Sequence, residues 1–225
     1  LRAGAVLPPD RVLASALAVG RTTVVAAYDE LRGEGRIERR QGSGTRVAEL
    51  TLHVGAGTFK PVKAETIDGH EMHTEHFEID TATLKLLAAH TGPLIAVGTT
   101  SVRTLESLYR AAQHLKCGKD PHQIRQWDGF SGSGDLSRQE ALEPLIGYLE
   151  ANKLSTFKAA TSIIVAPGYR FGVVDGLITN FHQPRSTLLL LIAAIVGERW
   201  KDIYRYALDH DFRFLSYGDS SLILR

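Results

Sequence analysis

Sulfur is nearly missing from this chain. Cys117 is its only cysteine, and it has a single methionine. No intrachain disulfide can form, so burial must hold the fold together, and a reducing cytoplasm fits such a composition. Long apolar runs are missing as well. The longest, Leu188 to Val196, has nine residues, about half of the roughly 20 that a membrane-spanning helix needs. It reads as a buried helix, and no membrane partner is expected. No charged-apolar-small leader opens the chain. An excess of one charge is also lacking, since 26 basic side chains face 25 acidic ones for a net +1. Composition alone therefore does not announce a nucleic-acid binder. Residues 1–50 carry eight arginines against six acids, or +2, and the rest is −1, an asymmetry too small to argue from. There is no internal repeat and no low-complexity segment. What remains is ordinary globular material. At 225 residues and 44% hydrophobic content, the chain suits one large domain, or a small and a medium one.

The first fifty residues read as a small unit. Leu7-Pro8-Pro9-Asp10 opens a helical pattern with Val12, Leu13, Ala16 and Leu17 on one face. After a compact turn at Ala18-Val19-Gly20, Arg21 to Leu31 repeats Val24, Val25, Tyr28 and Leu31 at helical spacing. Ile37-Glu38-Arg39-Arg40 and Thr45-Arg46-Val47 read as two strands around Gln41-Gly42-Ser43-Gly44. Helix, turn, helix and a glycine-tipped hairpin make a winged helix-turn-helix, here over residues 1–49. In such a unit Arg21, Thr22 and Thr23 open the second helix and face a major groove. The glycine-rich wing lets backbone approach phosphates.

Residues 50–225 alternate between periods. Strands are expected at Leu50–Val54, near Ile79, at Leu94–Val97 and at Ala160–Val165. Two more, Phe171–Val174 and Gly176–Ile178, are expected around Asp175-Gly176 as a hairpin turn. Helices are expected at Thr81–Thr91, Val102–Leu115, Arg138–Asn152 (single, or broken near Pro144), Ser186–Val196 and Trp200–His210. Cys117–Ser133 reads as loop with a short strand near Trp127. The fold class is mixed α/β, of the α+β kind.

Five segments concentrate the chemistry. Ala96-Val97-Gly98-Thr99-Thr100-Ser101-Val102-Arg103-Thr104-Leu105-Glu106 is an apolar strand, a polar turn and a helix N-terminus. Such a turn aims backbone N–H groups, hydroxyls and a guanidinium at one place, which suits a polar or anionic ligand. The others are Leu52-His53-Val54-Gly55-Ala56-Gly57-Thr58-Phe59, Pro167-Gly168-Tyr169-Arg170-Phe171, Thr179-Asn180-Phe181-His182-Gln183-Pro184-Arg185-Ser186-Thr187 and Ser216-Tyr217-Gly218-Asp219. His70, His73 and His76 recur with Glu71, Glu75 and Glu78, but steps of three fit neither a strand face nor a helix face. They lack the closed ligand set of a structural zinc site, so no metal is expected. His73 and Glu75 read instead as lining a substrate groove.

In their order, the five segments resemble the S-adenosylmethionine:tRNA ribosyltransferase-isomerases of queuosine biosynthesis. The resemblance covers residues 50–225 and corresponds to the C-terminal half of that family. It implies S-adenosylmethionine as ribosyl donor, tRNA as partner and no metal. The reaction implied moves the ribosyl moiety to 7-aminomethyl-7-deazaguanine in the anticodon, giving epoxyqueuosine as adenine and methionine leave. It implies catalytic roles for His53, Arg103, His182 and Asp219. It implies contacts to S-adenosylmethionine from Gly55, Thr58, Thr99, Thr100, Ser101, Tyr169, Arg170, Asn180 and Tyr217. Residues 1–48 are similar to the DNA-binding domain of GntR-type regulators, through Thr23-Val24-Val25-Ala26-Ala27-Tyr28 and Gly42-Ser43-Gly44-Thr45. That domain's first helix has no counterpart upstream of Leu1, and its serines near Pro9 and Gly20 are replaced. This resemblance implies duplex DNA as a partner of Arg11, Arg21, Thr22, Thr23 and Ser43.

Plainer readings stand beside these. Arg103 can pair with Glu106 or Glu75, His182 can serve a turn, and Asp219 can cap a helix. The aromatics of Tyr204-Arg205 and Phe212-Arg213-Phe214 fit an amphipathic core helix better than an RNA surface. At the level of function, the alternatives are a DNA-binding regulator with a ligand-sensing domain and a recombined or engineered chain. The latter is suggested by Val47-Ala48-Glu49-Leu50, which passes from wing to strand without a linker.

Overall fold

The computed structural model describes residues 21–33, 37–40, 44–47, 51–53, 67–130, 136–216 and 218–225. The chain divides into two compact units: residues 1–50 with Ala89–Pro93, and Thr51–Ala88 with Leu94–Arg225.

In the first unit, α1 (Arg21–Gly33) precedes β1 (Ile37–Arg40) and β2 (Gly44–Val47). The two strands pair antiparallel from Ile37↔Val47 to Arg40↔Gly44, as the hairpin pattern predicts. Val24 and Tyr28, one helical turn apart, are both buried. The helix expected from Leu7 onward lies outside the described residues.

The second unit is mixed α/β. Its four-stranded sheet runs β3 (Thr51–His53), β4 (Glu75–Asp80), β7 (Thr156–Thr161), β6 (Gln123–Ile124); its three-stranded sheet runs β5 (Ile95–Val97), β8 (Gly176–Asn180), β9 (Ser220–Leu224). The helices are α2 (Thr81–Ala89), α3 (Thr99–Lys116), α4 (Arg138–Ala151), α5 (Thr187–Val196) and α6 (Trp200–Asp209). Helix α3 contacts strands of both sheets and packs along α4, which explains why twelve of its eighteen residues are buried.

Local chemistry accounts for most of these elements. In β4 the alternation puts Glu75, Phe77 and Ile79 inward and His76 and Asp80 outward. Phe77 meets Phe157 of β7 at a ring separation of 6.4 Å. Helix α4 opens with a capping box: Ser137 Oγ accepts from the Glu140 N–H, and the Glu140 carboxylate accepts from the Ser137 N–H at 2.9 Å. Ser186 caps α5 by accepting from the Leu189 N–H, and the apolar run behind it buries Leu188, Leu191, Ile192, Ala193 and Ile195. Among the described residues, no helix is long and apolar enough to cross a membrane.

Several expectations need correction. Phe171–Val174 is not a strand, and Asp175-Gly176 is not a hairpin turn. The N–H groups of Gly172, Val173 and Val174 go to the Glu106 side chain instead, and β8 pairs with β5 and β9. Asp175 accepts from the Leu94 N–H and from Arg138, each at 2.8 Å. The strand expected at Ala160–Val165 lies earlier, at Thr156–Thr161, because its register is set by β4 from Asp80↔Thr156 to Glu75↔Thr161. The short strand near Trp127 is β6, before it. Of the two alternatives for α4 the single helix is found, running unbroken through Pro144, and β9 is a strand that its sequence pattern does not predict.

Candidate functional site

The three-stranded sheet sets the geometry. Strands β5 and β8 run parallel, with Val97 opposite Ile178, and the Gly98 N–H continues the ladder to the Ile178 carbonyl at 2.8 Å. Ligands of open α/β sheets collect outside the carboxyl ends of such strands. Here that end carries Thr99, Thr100 and Ser101 after β5, with Asn180 ending β8 and His182 just beyond it. Strand β9 is antiparallel, and its register Asn180↔Ser220 brings Gly218 and Asp219 to the same end. Three of the five segments thus meet at one sheet edge, although they are about 80 and 40 residues apart in sequence.

At the β5–α3 turn, Gly98 has φ +89°, a left-handed conformation that favours glycine. It is the N-cap of α3 and provides no side-chain cap, so the first-turn N–H groups depend on other acceptors. Thr99 is buried, and the Ser101 hydroxyl donates back to the Val97 carbonyl at 2.7 Å.

One turn further along, Arg103 is 4% exposed. Its Nη1 donates to Glu75 Oε2 at 2.7 Å, its Nε to the Ile163 carbonyl at 3.0 Å and its Nη2 to the His73 carbonyl at 3.4 Å. Burial lowers the guanidinium pKa, and the Glu75 charge works against that. The pairing with Glu75 is the plainer reading given above for this arginine. Glu75 is buried because the two-residue period of β4 turns it inward, so a buried partner is obligatory. Its other oxygen lies 3.0 Å from His73 Nε2. Met72, His73, Arg103, Val165, Thr187 and Leu188 line a small pocket here. His53 ends β3 directly opposite His76 in the backbone register.

The segment around Tyr169 is held from beneath by α3. Glu106 is fully buried; Oε1 accepts from the N–H groups of Val173 and Val174, and Oε2 from the Gly172 N–H and the Tyr169 hydroxyl at 3.2 Å. Burial raises the Glu106 pKa against those donors and Arg110, and pushes the Tyr169 phenol well above its ordinary value. Arg110 donates to the carbonyl of Arg170. A Cβ on Gly129 would sit 1.8 Å from the Tyr169 ring, so that glycine is what lets the ring pack. Tyr169 is therefore buried, whereas Arg170 is exposed.

His182 lies with Nε2 2.9 Å from Thr179 Oγ1, and its backbone N–H donates to the Tyr204 hydroxyl at 3.0 Å. Burial lowers its pKa from 6.5 to about 4, so the ring is neutral at physiological pH. Asn180 Nδ2 donates to the carbonyls of Gly218 and Asp219, which ties β8 to the turn before β9. Asp219 accepts from the Arg213 N–H at 2.8 Å and from its Nη2 at 3.0 Å, which lowers the Asp219 pKa. It caps no helix. Gly218 is required there, because a Cβ would lie 2.2 Å from the Arg213 carbonyl oxygen. Of the aromatics near these residues, Phe181 and Tyr204 are buried, whereas Phe212 is exposed and lies beyond α6; Phe181 packs against Tyr204, Phe212 and Phe214.

Gly55, Thr58 and Tyr217, with Arg11 and Ser43, lie outside the described residues. Arg21, Thr22 and Thr23 form the first turn of α1. Glu106 and Arg110 were missed as a site scaffold. Their signal was present, since Arg103, Glu106, Ser107 and Arg110 share one helical stripe by their spacing of three and four.

A family model described as queuosine biosynthesis protein matches residues 34–223. A second, described as bacterial regulatory proteins of the gntR family, matches residues 1–47, so the two matches share residues 34–47. An S-adenosylmethionine:tRNA ribosyltransferase-isomerase of Burkholderia ambifaria (strain MC40-6) is 40% identical over 193 residues, covering 84% of this chain and 44% of the relative. The protein of the same name from Burkholderia mallei (strain SAVP1) is 40% identical over 189 residues, covering 82% and 43%. A crystal structure of S-adenosylmethionine tRNA ribosyltransferase from Thermotoga maritima is 31% identical, with a TM-score of 0.45, over 67% of this chain and 41% of that one. The chain thus spans less than half the length of the curated relatives it matches.

Proposed function

This chain belongs to the queuosine biosynthesis protein family, and on that premise we propose that it builds the part of a tRNA-modifying transferase that binds S-adenosylmethionine. The reaction is transfer of the ribosyl moiety to 7-aminomethyl-7-deazaguanine in tRNA, giving epoxyqueuosine. The observation that carries the reading is the meeting of three segments at one end of the β5–β8–β9 sheet, with Arg103 and the pocket one turn behind. The first turn at Thr99, Thr100 and Ser101 offers backbone N–H groups, and Thr100 its hydroxyl, to the nucleoside. Arg103 acts through Glu75, and Asp219 shapes the turn before β9. The reaction also needs a base for the acidified proton beside the sulfonium.

Calorimetric titration with S-adenosylmethionine tests the reading. Saturable heat is expected from the unaltered chain. Thr100→Glu should abolish it while leaving α3 folded, because an acid in the first turn suits the helix dipole but fills the turn. No heat from the unaltered chain at millimolar ligand overturns the proposal.

A second reading concerns the first unit alone. The gntR-family match over residues 1–47 and the β1–β2 hairpin support duplex DNA as a partner of Arg21, Thr22 and Thr23 at the start of α1, with Arg11 and Ser43. Gel retardation with duplex DNA tests it.

A further inference from the structure

The end of α6 carries a pair of rings that the chemistry above does not use. Tyr206 is 57% exposed, and His210, one helical turn on, is exposed beside it. Their rings stack with centroids 3.9 Å apart and planes 19° from parallel. His210 Nδ1 donates to the Tyr206 carbonyl at 2.8 Å, and this bond holds the imidazole over the phenol. Phe212, also exposed, lies edge-on to Tyr206 with ring centroids 6.2 Å apart. Rings fixed parallel in solvent offer a flat apolar surface, the form on which an unpaired base stacks.

This platform is joined to the sheet end that carries the candidate site. The Phe212 ring packs on Phe181 at 5.5 Å, directly after β8. The Leu215 N–H donates to the Phe181 carbonyl at 2.9 Å, and the Asp219 N–H to the Arg213 carbonyl at 2.8 Å. The surrounding charges are largely cancelled. Lys201 pairs with Glu198, Arg205 with Asp202 and Arg213 with Asp219, and the acids Asp209 and Asp211 lie next to His210. A phosphate backbone gains little from such a balance, so an RNA held here is held through its bases. In an RNA duplex those bases already stack on one another, which leaves a single-stranded loop as the partner that fits.

We propose that the Tyr206–His210 stack docks an unpaired base of the substrate RNA beside the end of the β5–β8–β9 sheet. The inference rests on the tRNA-modifying reading above.

The experiment compares a labelled RNA stem-loop with a blunt RNA duplex of equal length by fluorescence anisotropy, and measures S-adenosylmethionine binding by calorimetry on the same samples. The unaltered chain is expected to prefer the stem-loop. Tyr206→Ala should weaken stem-loop binding about tenfold, the scale of one base–aromatic stack. Duplex and S-adenosylmethionine binding should not change. That loss should be the same at low and high salt, because stacking releases no counterions. Tyr206→Trp should keep the stem-loop affinity, and its added indole emission should be quenched by the stem-loop but not by the duplex, which a merely structural ring would not show. Equal stem-loop affinity in the unaltered chain and Tyr206→Ala overturns the proposal, as does a stem-loop bound no better than the duplex. So does self-association in sedimentation that Tyr206→Ala abolishes, which assigns the surface to a second copy of the chain. In these three outcomes intact S-adenosylmethionine binding leaves the earlier reading standing; its absence overturns both.

Discussion

At His182, burial works against protonation. The folded ring has a pKa of about 4 against 6.5 for an ordinary histidine. Between those two values the unfolded chain takes up a proton that the folded chain refuses. Stability contributed by this site is therefore whole above pH 6.5, falls as pH drops towards 4 and levels off below that. Allowing for the ring's remaining exposure, the loss is about 2 kcal/mol. His182→Asn should lose less stability than the unaltered chain between pH 7 and pH 4.5, by about that amount, in urea unfolding curves. Equal losses would show that the ring is not desolvated. Glu106 lies at the opposite extreme of partnering. It too is buried, but four donors meet its two oxygens. Those bonds turn a carboxyl inside the core into the anchor of the Tyr169 segment. The need for partners at Arg103, Glu106 and Arg110 was legible, since three ionisable residues sit within a pattern of Val102, Leu105, Leu108, Tyr109 and Ala112. Which partners they take was not legible.

Among the elements, α4 shows how a rule is broken and compensated. Pro144 has no N–H to give to the Glu140 carbonyl one turn back. The Lys116 ammonium, at the end of α3, donates to that carbonyl at 3.1 Å. The helix stays continuous where the sequence allowed a break, because the orphaned acceptor has a charged donor and Leu142, Leu145 and Leu149 are fully buried. A double-mutant cycle follows. Lys116→Met should cost about 0.5–1 kcal/mol in the unaltered chain, as befits an exposed charge-assisted bond. It should cost close to nothing in the Pro144→Ala background, where the restored backbone N–H can reach the carbonyl. Equal costs in both backgrounds would dissociate the lysine from the proline. Strand β9 is the contrasting case. Its five residues, Ser-Ser-Leu-Ile-Leu, bury only Ile223, so its alternation is too short to declare itself.

The whole molecule joins two compact units in one chain of nearly balanced charge. A nucleic-acid partner of the first unit would meet eight arginines offset by six acids, since residues 1–50 carry only +2 overall. If that unit binds duplex DNA, the logarithm of affinity should fall with the logarithm of salt at a slope of about −2 to −4, reflecting a handful of phosphate contacts. Fluorescence anisotropy across a salt series checks this. No binding at low salt counts against the DNA reading and leaves the S-adenosylmethionine reading untouched. In the second unit the layout follows from α3, which lies against both sheets and carries the buried polar stripe. The pocket, the Tyr169 segment and the Thr99 turn all hang from that one helix.

The sequence by itself determined the mixed α/β class, the existence of most helices, the β1–β2 hairpin and the segments that meet at the sheet edge. These depend on periodicity, caps and turn residues, which act within one or two turns of the chain. Only the tertiary structure decided where the ionisable residues are spent. Glu75 and Arg103 are 28 residues apart, and Glu106 and Gly172 are 66 apart. The displaced strand at Thr156–Thr161, the open segment at Phe171–Val174 and the role of Asp175 have the same origin. A buried charge or an unpaired N–H demands a partner wherever it lies, but its own neighbourhood does not name that partner. Chain closure does, by bringing distant segments into hydrogen-bonding distance.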